Sequence, residues 1–150
     1  MSLQDLYQEI ILDHAKHPRN TGTLEGATHI ADGHNPLCGD QVRVFMRVAG
    51  GRVEDIRFDG RGCAISTAAS SMMSELVKGK TPDQAAALLE AFLHVVRGEP
   101  AEGAAVGVDD RETLAVLGGV SQYPMRVKCA TLPWRTMEAA LAGGGTAKTE

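Results

Sequence analysis

Aromatic residues are scarce in this 150-residue chain: one Trp, two Tyr and three Phe make up 4% of it. Ala, Val, Leu and Met must then fill much of the core. No run of Lys and Arg occurs, and the formal net charge is −4. That balance argues against nucleic acid and anionic membranes as partners. No apolar stretch approaches membrane-spanning length. The first residues, MSLQDLYQEI, carry acid and lack a basic region followed by an apolar run. They do not read as a signal peptide, so the expected location is cytoplasmic. Cysteine occurs three times, at 38, 63 and 129, with no C-x-x-C pair. An odd number in a reducing compartment argues against a disulfide framework.

What is present reads as helix, then hairpin, then helices. Residues 2–18 place Leu3, Leu6, Tyr7, Ile10 and Ile11 on one helical face, with Ser2 and Asp5 at capping-box spacing. Pro18 and Gly22 stop that helix. In QVRVFMRV, residues 41–48, Val42, Val44, Met46 and Val48 alternate with Arg43 and Arg47, which is strand periodicity. A Gly turn at 49–51 and a second run, RVEDIRFDG, complete a hairpin. A further strand is expected around residues 28–33. A helix rich in Ala and Ser follows Cys63. Thr81, Pro82 and Gln84 supply the cap, first-turn proline and capping partner of the next helix. Residues 98–110 read as a Gly- and Ala-rich loop, followed by a short helical segment around 112–117. A last helix is expected from about residue 126, with Pro133 early in it, where its missing N–H matters least. This order predicts an α+β fold, a small antiparallel sheet of about three strands packed against several helices. Residues 1–142 read as a single domain and 143–150 as a disordered tail.

The chemistry-bearing residues gather at element boundaries. Cys38 and Asp40 lie on the turn-rich stretch NPLCGD, Cys63 where a strand gives way to a helix, and Cys129 near the start of the last helix. Helix N-termini favour thiolates, which are both nucleophiles and metal ligands. Three Cys and one Asp can close a tetrahedron around zinc. Spacing alone leaves a metal site, reactive thiols and buried apolar cysteines all open, because cysteine is among the most buried residue types. Cys38 argues most for a site, since its loop is polar. The histidines at 14, 17, 29, 34 and 94 read as structural or solvated. The Ala/Ser run at 66–71, Met72, Met73 and Trp134 read as packing.

NPLCGD, DGRGCAISTAASSMMSELVKGK and RVKCATLPW together resemble the U-type iron–sulfur scaffold superfamily, IscU and its relatives, over nearly the whole chain. The resemblance implies a SufE/IscU-like fold in which Cys38, Asp40, Cys63 and Cys129 ring one exposed site. Two departures from the scaffold pattern stand out. Lys128 occupies the position before the third cysteine, where a scaffold carries a ligating histidine. The segment from Tyr123 to Lys128 only partly matches the scaffold's Leu-Pro-Pro-Val-Lys. With the long separation between Cys63 and Cys129, these features are similar to the SufU branch (NifU N-terminal-like).

That likeness implies a zinc-dependent sulfurtransferase. It would take persulfide sulfur from a SufS-type cysteine desulfurase and pass it toward a SufBCD-like assembly complex. Zn²⁺ would be held by Cys38, Asp40, Cys63 and Cys129, with Cys38 as sulfur acceptor. The desulfurase would supply a replacement ligand that frees Cys38. Three thiolates and a carboxylate around Zn²⁺ sum to a charge of about −2, which Arg126 and Lys128 are placed to offset. The alternative is a scaffold holding a transient iron–sulfur cluster on the same residues. A binding module with purely structural zinc is a third reading, disfavoured because such sites commonly use Cys and His rather than Asp.

Overall fold

The structure is a computed structural model and describes residues 2–100 and 106–149. Helix α1 (Leu3–Lys16) is capped by Ser2, whose hydroxyl accepts the Asp5 N–H while Asp5 returns a bond to the Ser2 N–H. A sheet follows, built from β1 (His29–Asn35), β2 (Asp40–Ala49) and β3 (Arg52–Arg61). β2 pairs antiparallel with both neighbours. Gly50 and Gly51 both take positive φ in the β2–β3 turn, as a tight hairpin with the native strand twist requires. Val42, Val44 and Met46 are buried on one face. Arg43 and Arg47 lie on the other, in ion pairs with Asp32 and Glu54.

Helices α2 (Ala64–Val77), α3 (Pro82–Val96), α4 (Val108–Ala115) and α5 (Pro124–Leu141) complete the α layer, with a 3₁₀ turn at Gly118–Gln122. Thr81, Pro82 and Gln84 cap α3 as the sequence predicts. Phe92 of α3 stacks on Trp134 of α5, ring centroids 5.1 Å apart. Two of the six aromatics are thus spent where helices meet. Ala68, Ala69, Ser70 and Ser71 are buried on α2, which packs against α1 and α5. Small side chains permit that close approach. Gly33 does the same for α5 on β1: a Cβ there would fall 1.9 Å from Thr136 Oγ1. The observed architecture is α+β, a mostly antiparallel open sheet covered by helices. No helix among the described residues is long and apolar enough to cross a membrane.

Three expectations change. Residues 145–148, expected to be disordered, form β4 and pair in parallel with β1, giving the sheet order β3-β2-β1-β4. Gly143, Gly144 and Gly145 all take positive φ, which lets the chain double back from α5 onto the open edge of β1. The last helix starts earlier than expected, because Tyr123 is extended and Pro124 occupies its first turn. Pro133 therefore lies inside the helix. The short helix α4 begins at Val108, four residues before the predicted position. Of the loop read at 98–110, residues 101–105 lie outside the described residues.

Candidate metal and thiol site

The β1–β2 turn carries the first two site residues. Asn35 opens it: its side-chain Oδ1 accepts the Leu37 N–H at 3.0 Å, and its carbonyl accepts the Gly39 N–H at 2.9 Å. Gly39 takes φ +75°, which closes the turn and leaves Cys38 exposed. Asp40 opens β2 with its side chain buried. Its carboxylate is held by the next element: Oδ1 accepts the Cys63 N–H at 2.9 Å. Cys63 is exposed and is the N-cap of α2, where its sulfur accepts the Ser66 N–H at 3.4 Å. Gly62 makes room for this arrangement. A Cβ there would sit 2.7 Å from Asp40 Oδ1. α5 brings buried Cys129 from the other side.

These parts converge. Cys38 Sγ donates to Asp40 Oδ2 at 3.1 Å and lies 3.4 Å from Cys129 Sγ. Cys63 Sγ stands 3.8 Å from the same carboxylate oxygen. The ligand atoms of Cys38, Asp40 and Cys129 all lie within 4.8 Å of one another. Ligand bonds of about 2.0–2.3 Å in a tetrahedron require ligand atoms roughly 3.3–3.8 Å apart. The site therefore needs little movement to close on a small divalent ion. Cys63 stands beside this triplet and is the available fourth donor. Soft thiolates with one carboxylate suit zinc or iron better than magnesium or calcium.

Two of the thiols, Cys38 and Cys129, are pushed toward the protonated form. Desolvation pushes the Cys38 thiol up, and its hydrogen bond to Asp40 adds to this. Burial pushes Cys129 further up, with Asp40, Cys38 and Cys63 all contributing. The sequence-based expectation that the helix dipole favours a Cys129 thiolate is thus overturned. Cys129 is the sixth residue of α5, beyond the orphan N–H groups of the first turn, and desolvation wins there. Pro133 has a consequence here as well. It stands four residues after Cys129, so the N–H that would close the helical turn on the Cys129 carbonyl is missing.

The two cations proposed to offset the site charge are on the first turns of α5. The Arg126 guanidinium lies over the Tyr123 ring, 4.6 Å from its centroid. Lys128 is half-buried, and its carbonyl accepts the hydroxyls of Thr131 and Thr149. Sequence reasoning missed Asn35 and Gly62. The signal for Asn35 was present in its motif, because Asn before Pro marks a side-chain-capped turn.

A four-stranded sheet whose first turn meets two helices at a thiol–carboxylate cluster defines an α+β protein built around a metal-competent cysteine site. The chain belongs to the NifU-like N terminal domain family, whose profile matches residues 6–130. It is 40% identical over 141 residues to the zinc-dependent sulfurtransferase SufU of Bacillus subtilis, covering 94% of this chain and 92% of that protein. It is 37% identical to the iron–sulfur cluster assembly scaffold protein IscU of Streptococcus pyogenes, covering 97% and 89%. Among solved structures, the N-terminal part of a nitrogen-fixing NifU-like protein from Brucella abortus superposes with a TM-score of 0.81 at 25% identity. That match covers 93% of this chain and 94% of the other. Fold and relatives agree with the IscU-like architecture read from the motifs.

Proposed function

We propose that this protein is a zinc-dependent sulfurtransferase of iron–sulfur cluster assembly, with Cys38 as the acceptor of persulfide sulfur. The observation that carries the reading is the placement of Cys38, exposed on a hairpin turn yet 3.4 Å from buried Cys129 and 3.1 Å from Asp40. An incoming persulfide can reach it, and its neighbours can be metal-bound. Cys38, Asp40, Cys63 and Cys129 are the ligands, and Arg126 and Lys128 offset the net negative charge. Zinc, when bound, supplies the charge that keeps these thiols deprotonated.

In the transfer step the Cys38 thiolate attacks the outer sulfur of a cysteine persulfide on a SufS-type desulfurase. A new S–S bond forms on Cys38 as the desulfurase's own S–S bond breaks. The desulfurase cysteine leaves as a thiolate, so no external oxidant or reductant is consumed. This is thiol–disulfide exchange in form, and it depends on access as well as on thiolate character. Asp40 is held by the Cys63 N–H throughout, so the carboxylate keeps its position beside the reacting sulfur. The sulfur then passes to a SufBCD-like complex in the cytoplasm.

The experiment is metal and acid-labile sulfide analysis of protein purified without added metal, followed by persulfide transfer. One zinc per chain without sulfide, and gain of one sulfur atom on the Cys38 peptide after exposure to desulfurase and cysteine, are expected. Cys38→Ser should keep the fold and abolish that gain. Iron with sulfide on the purified chain would overturn this reading in favour of the cluster scaffold.

A further inference from the structure

Asn35 is fully buried, and its side-chain Nδ2 has no hydrogen-bond partner. One other buried side-chain donor among the described residues is orphaned in this way, Arg57 Nε, and that guanidinium already meets Asp55. Asn35 has no such compensation. Its carboxamide cannot turn over freely either, because Oδ1 is fixed by the Leu37 N–H.

The position of this donor is set by the sheet. Asn35 is the direct cross-strand partner of Asp40, and directly paired residues present their side chains to the same face. α5 covers that face. Two residues earlier on β1, Gly33 lies against Leu132 and Thr136. Three residues later, Cys38 meets Cys129. Asn35 stands between these two contacts, along the wall that α5 closes with Cys129.

The three sulfurs differ in what supports them. Cys63 Sγ accepts the Ser66 N–H. Cys38 is open to water. Cys129 is buried, and no N–H donor to its sulfur is present among the described residues. A metal-bound cysteine is a thiolate, and a buried thiolate requires hydrogen-bond donors. The face that α5 covers thus holds a donor without an acceptor and, on α5, a sulfur that needs a donor once metal arrives.

We propose that Asn35 is a positioning residue for the metal-loaded site, donating its Nδ2–H to the Cys129 thiolate. The inference rests on the zinc reading above. The orphaned amide is the waiting half of a bond that loading completes. Metal binding therefore draws the β1–β2 turn and α5 together through a contact additional to the ligands.

Asn35→Ser tests this, since a serine hydroxyl can still accept the Leu37 N–H and hold the turn. Chelator competition should show zinc affinity falling about 10- to 100-fold. The sulfur-to-metal charge-transfer bands of the cobalt(II)-substituted protein should move to lower energy, because a thiolate without its N–H donor gives up electrons more readily. Unchanged affinity and band positions overturn the proposal.

If the variant does not fold, wild-type protein carrying ¹⁵N-asparagine and loaded with ¹¹³Cd decides. The Asn35 amide protons should shift on loading and couple to cadmium through sulfur. No shift, or a shift without coupling, which would put the bond on Asp40, overturns the proposal. A wild-type chain that binds no metal overturns the zinc reading and this inference with it. Wild-type binding matched by the serine variant overturns this inference alone.

Discussion

Gly62→Ala probes the backbone N–H contact that ties the site carboxylate to the start of α2. No positive φ demands glycine at this position; space does. The added Cβ would meet Asp40 Oδ1 at 2.7 Å, Asp40 Cγ at 3.1 Å and Ser66 Cβ at 3.2 Å. Relief of the first contact requires the oxygen to retreat by about half an ångström, toward an ordinary van der Waals separation. That oxygen accepts the Cys63 N–H at 2.9 Å, and retreat from residue 62 is also retreat from its neighbour's N–H. The bond would lengthen to about 3.4 Å, outside the usual range for N–H···O.

A hydrogen bond to a charged group is worth about 1.5–3 kcal/mol, while Gly→Ala at a compatible backbone returns about 0.4–1 kcal/mol through the unfolded chain. The metal-free variant should thus lose about 1–2 kcal/mol in equilibrium urea unfolding. Zinc affinity should also fall, because the displaced carboxylate must be drawn back to bind. Gly119→Ala is the control: nothing lies within 4 Å of its Cβ position and its φ is not positive, so it should stay within about 0.5 kcal/mol of wild type. Wild-type stability and wild-type zinc affinity in Gly62→Ala, measured beside that control, would refute the argument that the glycine exists to seat Asp40.

Two further outcomes are expected. His14 is buried between α1 and α2, with Nδ1 2.7 Å from Ser71 Oγ, and burial holds its pKa below the ordinary value of 6.5. Its folded value is the depressed one, so the unfolded chain binds more protons. This contribution to stability is full above about pH 6.5 and is lost as pH falls through the lower folded value. The urea midpoint should therefore drop between pH 7.5 and 5.5, and His14→Gln should flatten that drop; an equal drop in the variant would contradict this. Arg126→Ala should weaken zinc retention about two- to five-fold at low salt, as fits an exposed charge worth about 0.5–1 kcal/mol. The difference should fade in 0.5 M salt as screening shortens to a few ångströms; a salt-independent effect would assign it to the Tyr123 stack instead.

The hairpin, the α3 cap and the α1 capping box were legible because each is a local code. Alternation, a Thr-Pro-x-Gln start and a Ser-x-x-Asp start specify structure within a few residues. Cys38 on a turn was legible for the same reason. The tail was not. GGGTAKTE has Ala147 as its only apolar residue and no periodicity, and β4 exists because β1 offers an unpaired edge, which is a tertiary fact. The start of α5 was displaced by two residues because Pro124 was read as part of a helix-breaking stretch rather than as a first-turn proline; packing against β1 and Trp134's stack on Phe92 carry the helix through Pro133. The protonated state of Cys129 was illegible from position along a helix, since it depends on what buries the sulfur. Asn35 stood in the motif, but its unpaired nitrogen becomes visible only when the sheet register and α5 are both known.

The spread of the site along the chain also sets an order in time. Asp40 and Cys63 are 23 residues apart, whereas Cys38 and Cys129 are separated by 91. A chain made from its amino end can form the hairpin, start α2 and seat the carboxylate on the Cys63 N–H while much of the polypeptide is still to be made. Its half-site then has two exposed thiols and no buried wall. Cys129 arrives only with α5, 66 residues after Cys63. The cluster is thus assembled from early and late parts, and a metal ion held by all of them can be captured only once α5 is in place.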